Sequence, residues 1–197
     1  DAGGGVFVHT QVGAQPNAMS IIKSTFDRNI STLVNLRGGG IYHAFGTLHI
    51  IGSTLSNNEC FGLAMSDFLV TATTLTDSTI SGNTFGGIET EANSTVPSAR
   101  LDITNSTISG NKGNAAITIG RHNLNVSNST IVNNEGAGIR HLFTSNSGVW
   151  NVKSSIIAAN TGSDVSGVFT SGGFNLIGKT DNSTGFTQPT DQTGTSA

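Results

Sequence analysis

The sequence predicts an all-β chain wound as a parallel solenoid, and three observations carry that prediction. A short motif recurs: "LDITNSTISGN" at 101–111 returns as "LNVSNSTIVNN" at 124–134, "TLTDSTISGN" at 74–83 and "LHIIGSTLSNN" at 48–58. Within each copy apolar and small polar residues alternate, the period-two pattern of a strand with one buried face. The composition holds 26 Gly and only 3 Pro among abundant Ser, Thr and Asn, which suits short strands and many turns and gives helices little support.

The last Asn of each copy is an anchor, giving Asn29, Asn58, Asn83, Asn111, Asn134 and Asn160 at intervals of 29, 25, 28, 23 and 26 residues. Intervals of this size are those of solenoid repeats. Five residues before each anchor stands a serine: Ser24, Ser53, Ser78, Ser106, Ser129 and Ser155. Three residues before it stands Phe26, Leu55, Ile80, Ile108, Ile131 or Ile157, the inward position of a second strand. A first strand aligns Met19, Leu48, Thr73, Leu101, Leu124 and Trp150, then Ile21, Ile50, Leu75, Ile103, Val126 and Val152. Only Thr73 breaks these apolar columns. Five residues beyond each anchor come Val34, Leu63, Ile88, Ala116, Ile139 and Val165, several introduced by glycine, and these mark a third strand.

One such repeat buries too little surface to fold alone, but coils stacked about 4.8 Å apart align like residues into continuous internal columns. The expected architecture is therefore a parallel β-helix of about six to seven coils with three short strands per coil, and the resemblance described next implies a right-handed one. It occupies residues 1–178, with a polar segment at 179–197 that folds over or extends the last coil. The motif recurs because each coil must match its neighbours. The Asn column is expected to form a ladder at one corner, each Asn in a left-handed turn and offering its amide to the next.

The segments "STISGN", "GGGI" and "FDRN" resemble repeats of secreted bacterial right-handed parallel β-helix proteins, including the pectate-lyase-like and polymorphic outer-membrane groups. The closing stretch "SSIIAANTGSDVSGVFTSGGFNLIG", followed by "TDQTGTSA", is similar to bacterial surface proteins with a choice-of-anchor domain. The similarity covers nearly the whole chain and specifies coil geometry. It implies an extracellular or cell-surface location.

Charge narrows the functional classes. Charged residues make up 11% of the chain and the net charge is −3, too weak a field to gather nucleic acid. No apolar run reaches the roughly 18 residues of a membrane span. Cys60 is the only cysteine, and the acids are dispersed, so no metal or other cofactor is called for. A pectate-lyase-like site would resemble clustered carboxylates beside a cationic base on the outward face of the first strand. That face offers Asp102 alone, with Lys153 two coils away, about 10 Å by stacking distance. His49 is isolated there, and no residue is assigned a catalytic role.

Two other faces offer patterns. The second strand points Thr25, Thr54, Thr79, Thr107 and Thr130 outward in one file, an array that resembles the face of ice-binding solenoids and that strand propensity alone also explains. Near the third strand and its loops, Glu89, Glu91, Arg121, His122, Arg140 and His141 form a candidate ligand face for carbohydrate or a cell-surface partner. Sparse charge and open terminal coils lead to a further expectation, end-to-end self-association into fibres. The sequence thus predicts a structural or adhesive surface module. A polysaccharide-binding or lyase-like enzyme is the alternative, and an ice-binding face is the third reading.

Overall fold

The computed structural model describes residues 5–8, 18–30, 39–90, 99–142, 148–180 and 182–195. Its strands stack in parallel throughout. The second strands form an eight-stranded sheet, running from Thr25–Asp27 through Thr54–Ser56, Thr79–Ser81, Thr107–Ser109, Thr130–Val132, Ile156–Ala158 and Leu176–Ile177 to Gln192–Thr193. First and third strands share a thirteen-stranded sheet, because in two coils the third strand runs straight into the next first strand. Those continuous strands are Ile41–Ile51 and Phe61–Thr76. The fold is the all-β parallel β-helix that the repeat predicts. Six Asn anchors bound five complete turns, slightly fewer than the six to seven coils expected, with partial coils at either end. No helix among the described residues is long and apolar enough to cross a membrane.

Register follows the predicted columns in the first two strands. Met19, Leu48, Thr73, Leu101, Leu124 and Trp150 lie side by side, as do Phe26, Leu55, Ile80, Ile108, Ile131 and Ile157. The third column needs one correction. Ile117, not Ala116, pairs with Ile88 and Ile139, because the corner after Asn111 carries one extra residue. Gly113, at φ 97°, helps the chain absorb that insertion. Val34 lies outside the described residues, and Ile41 stands beside Leu63 in its place.

Parallel stacking aligns the inward residues of the second strands into one continuous apolar column. Leu55, Ile80, Ile108, Ile131 and Ile157 are all fully buried, while Thr107, one residue from Ile108, faces outward and is partly exposed. Ile108→Ala is expected to cost about 3 kcal/mol through lost burial and residual cavity. Thr107→Ala should cost well under half of that. Equal losses in denaturant melts would reverse the inward and outward assignment.

Thr73 shows how the column tolerates a polar residue. It is fully buried, and its hydroxyl lies 2.8 Å from Nδ1 of His43, also fully buried. The other ring nitrogen, Nε2, lies 2.9 Å from the carbonyl of Phe45. A carbonyl only accepts, so Nε2 carries the proton and Nδ1 accepts from Thr73. Burial, not these bonds, keeps the ring neutral, holding His43 down to about 4.

Candidate functional site: the side-chain ladders and outward faces

The corner after the second strand is built from the Asn anchors. Each amide Nδ2 donates to Oδ1 of the next anchor, at 2.8, 2.8, 2.8, 3.0 and 2.9 Å from Asn29 to Asn160. The same Oδ1 accepts the backbone N–H of the preceding anchor at 3.0 to 3.1 Å. The second amide hydrogen of Asn83, Asn111 and Asn134 reaches the carbonyl of Leu55, Ile80 and Ile108 respectively. Asn58, Asn83, Asn111, Asn134 and Asn160 are all buried, so this mutual satisfaction is what makes burial of a primary amide tolerable.

The left-handed residue of this corner is not the anchor. Positive φ falls one position earlier, at Arg28, Asn57, Gly82, Gly110, Asn133 and Ala159. The anchor must point both its backbone N–H and its amide along the stack, so the preceding residue makes the bend. Asn111→Ala is expected to cost about 3 kcal/mol, because Asn83 loses the acceptor for two buried N–H groups. An unchanged melting curve would reduce the ladder to ordinary turns.

A second ladder runs along the serine column, and the constant serine spacing is its sequence signal. The backbone N–H of Ser24, Ser53, Ser78, Ser106 and Ser129 each donates to the hydroxyl of the next serine, at 3.0 to 3.2 Å. Each hydroxyl in turn donates to a carbonyl two residues earlier, as Ser78 does to Thr76 at 2.7 Å. The small side chain both caps its own turn and receives its neighbour.

Both ladders run in one direction, and both end on a carboxylate. Asn160 donates its backbone N–H and its amide to Oδ1 of Asp164, at 2.9 and 2.7 Å. Asp164 is fully buried, and its Oδ2 accepts the backbone N–H of Lys179 at 2.7 Å. Ser155 donates to Oδ1 of Asn175, whose own N–H and amide donate to Oδ1 of Asp191. Burial pushes the Asp191 carboxyl up, but hydrogen bonds from Ser171 and Asn175 outweigh it and hold the group below the usual carboxylate value. A carboxylate only accepts, so it suits the last rung of a donor chain. The sequence signal was the end of the Asn column followed four residues later by an aspartate.

The outward Thr file is in register, Thr25 beside Thr54, Thr79, Thr107 and Thr130, and it continues into Ile156 and Leu176. Its companion file is Asp27, Ser56, Ser81, Ser109, Val132 and Ala158. On the first strand's outward face, Asp102 is paired with Arg100 at 2.6 Å and accepts from Asn125 at 2.6 Å. Asn151 donates onward to Asn125 at 2.7 Å, and His49 bonds Thr74 at 2.9 Å. Lys153 pairs with Ser127, away from the Asp102 file. These polar groups are turned toward one another along the stack.

The candidate ligand face divides. Glu89 and Arg140 occupy one outward file with Thr118 between them, two coils apart. Arg121 is exposed at the following corner. His122 does not belong to this face: it is fully buried, because the corner between Ile119 and Asn123 folds inward beneath the Trp150 ring, whose Nε1 donates to the His122 carbonyl at 3.0 Å. Burial holds its imidazole down to about 4, and neither ring nitrogen has a hydrogen-bond partner among the described residues. His141 packs edge-on against Trp150 with centroids 3.9 Å apart, and its Nε2 meets the carbonyl of Gly120. Glu91 lies outside the described residues. Among the described residues no three His, Cys, Asp or Glu side chains are placed to hold a metal ion.

In comparisons with known proteins, residues 40–185 match the family described as a right-handed beta helix region. No curated protein and no solved structure matches the chain. The match spans most of the 197 residues and covers four of the five Asn-to-Asn turns completely. Parallel stacking of the strands throughout agrees with that description, and the chain belongs to the right-handed β-helix family.

Proposed function

We propose that the chain is a non-catalytic structural module of a bacterial surface protein, a stiff spacer that carries and presents binding surface. The observation that carries this reading is the pair of side-chain ladders, which tie successive coils together at two corners through buried hydrogen bonds. The outward polar side chains of the first strand support it too. Asp102, Asn125 and Asn151 serve one another, whereas an acid or base acting on substrate needs its reactive atom directed at a ligand. The surface location rests on the resemblance of the repeats and closing stretch to bacterial surface proteins.

A polysaccharide panel tests the reading against its enzymatic alternative. The expected outcome is no unsaturated product and no new reducing ends. Turnover by the native chain that disappears in Asp102→Asn would overturn it. Self-association end to end is an independent part of the surface reading, and ladder chemistry gives it no help, since both ladders already end within the chain, on Asp164 and Asp191. Axial polymers under electron microscopy would have to form through strand edges. The threonine file lacks a second threonine row beside it, so thermal hysteresis is expected to be absent at high protein concentration.

A further inference from the structure

Phe174 occupies a position where an aromatic residue is out of place. In earlier coils the residue before each serine rung has positive φ and is Lys23, Gly52, Asp77, Asn105, Asn128 or Ser154. In the last coil the corresponding residue, before Asn175, is Phe174, with φ 61° and a side chain 66% exposed. Left-handed backbone is costly for a bulky side chain, and exposure of the ring to water adds no burial to offset that cost. The surrounding chain holds it there nonetheless. The backbone N–H of Phe174 donates to the Thr190 hydroxyl at 3.0 Å, and a side chain at the preceding Gly173, φ 83°, would place its Cβ 2.7 Å from the same oxygen.

The ring borders a groove of about 290 Å³ lined by Ser154, Ile156, Leu176, Thr190 and Gln192, with Ser155 and Asn175 at its base. Ile156 and Leu176 are 42% and 43% exposed and continue the apolar floor from Phe174. Polar groups border it: the Ser154 hydroxyl and the Gln192 amide have no partner among the described residues. None of the lining residues is charged. An aromatic platform, an aliphatic floor and neutral hydrogen-bonding groups at the edge match a pyranose ring, which has an apolar C–H face and a belt of hydroxyls. A uronate would find no cation among the lining residues to meet its carboxylate.

We propose that this groove is a binding subsite for a neutral sugar unit of a polysaccharide, with Phe174 as the stacking platform. The site lies on the second-strand sheet at the C-terminal end of the stack, away from the file of Glu89 and Arg140. It goes beyond the spacer role and stands without it.

Cellohexaose, mannohexaose and galactohexaose, with tetragalacturonate as the anionic control, can be titrated into the isotopically labelled chain and followed by backbone amide shifts. At least one neutral hexasaccharide is expected to shift the amides of Ser154, Phe174, Leu176 and Gln192, with tetragalacturonate inert. Phe174→Gly should weaken that binding about tenfold or more while melting at the same or a higher temperature, because glycine relieves the backbone. Phe174→Tyr should retain it. The proposal is overturned if none of the three neutral sugars binds, if tetragalacturonate binds better, or if Phe174→Gly binds as the native chain does. A dimer that Phe174→Gly dissolves, without sugar binding, would assign the groove to a second copy instead and would also overturn it.

Discussion

Asp164→Ala is expected to destabilise the chain by about 5 kcal/mol, because it strands two buried N–H groups and a partly buried third at once, each buried one costing about 1 to 3 kcal/mol when unsatisfied. The three are the backbone N–H and the amide of Asn160 and the backbone N–H of Lys179. Nothing nearby can replace the lost oxygens, since Asp164 is fully buried and its carboxylate fills the space above Gly178, where a Cβ would lie 2.4 Å from Oδ2. Asp164→Asn should cost less, keeping the one acceptor for Asn160 but setting an amide N–H against the backbone N–H of Lys179. Hydrogen exchange locates the damage: the amides of Asn160 and Lys179 should lose protection well before those of Ile80 and Ile108. A loss under about 1 kcal/mol would show that the ladder needs no terminal acceptor.

How much of this was legible follows from what periodicity can encode. The inward columns were readable because a coil's apolar residues must match those of the coil above, and Leu101, Leu124 and Trp150 fall into register by counting from the Asn anchors. Counting failed where a corner changed length. One extra residue after Asn111 moved Ile117 into the column that Ala116 was expected to occupy. Roles depending on a partner elsewhere in the coil were hidden altogether. Thr73 looked like a defect until His43, 30 residues away in sequence, proved to bond its hydroxyl. His122 looked like surface charge because it follows Arg121, yet its corner turns it inward. Asp164, Asn175 and Asp191 occur once each and therefore left no repeat to notice, although they complete the two ladders.

Lowering the pH from about 6.5 to about 4 is expected to remove about 6 kcal/mol of stability, through His43 and His122 together. Burial holds both imidazoles from the ordinary 6.5 down to about 4; the Phe45 carbonyl pulls His43 partly back up, and the neighbouring His122 opposes its protonation further. The unfolded chain takes up two protons as the pH falls through 6.5, while the folded chain declines them until about 4. Stability is therefore full above 6.5, falls through this window and levels off below it as far as these two groups are concerned. Each contributes about 3 kcal/mol, and the sum rivals the whole stability of many domains of about 5 to 15 kcal/mol. Carboxylates act in a lower window: Asp27, held below 3.8 by hydrogen bonds from Asn57 and Ser56, and Asp191 lose their contribution only once the pH has fallen through the carboxylate range. His122→Leu separates the two histidines. It should remove about half of the slope between 6.5 and 4 and raise stability at neutral pH, since two buried ring nitrogens without partners are replaced by a hydrocarbon of similar size. His43→Leu should also flatten the slope but lower neutral stability, because it leaves the Thr73 hydroxyl buried without its partner. Urea melts at half-unit pH steps decide the matter, and a native profile flat from 6.5 to 4 would refute the burial of neutral histidines inside the coil.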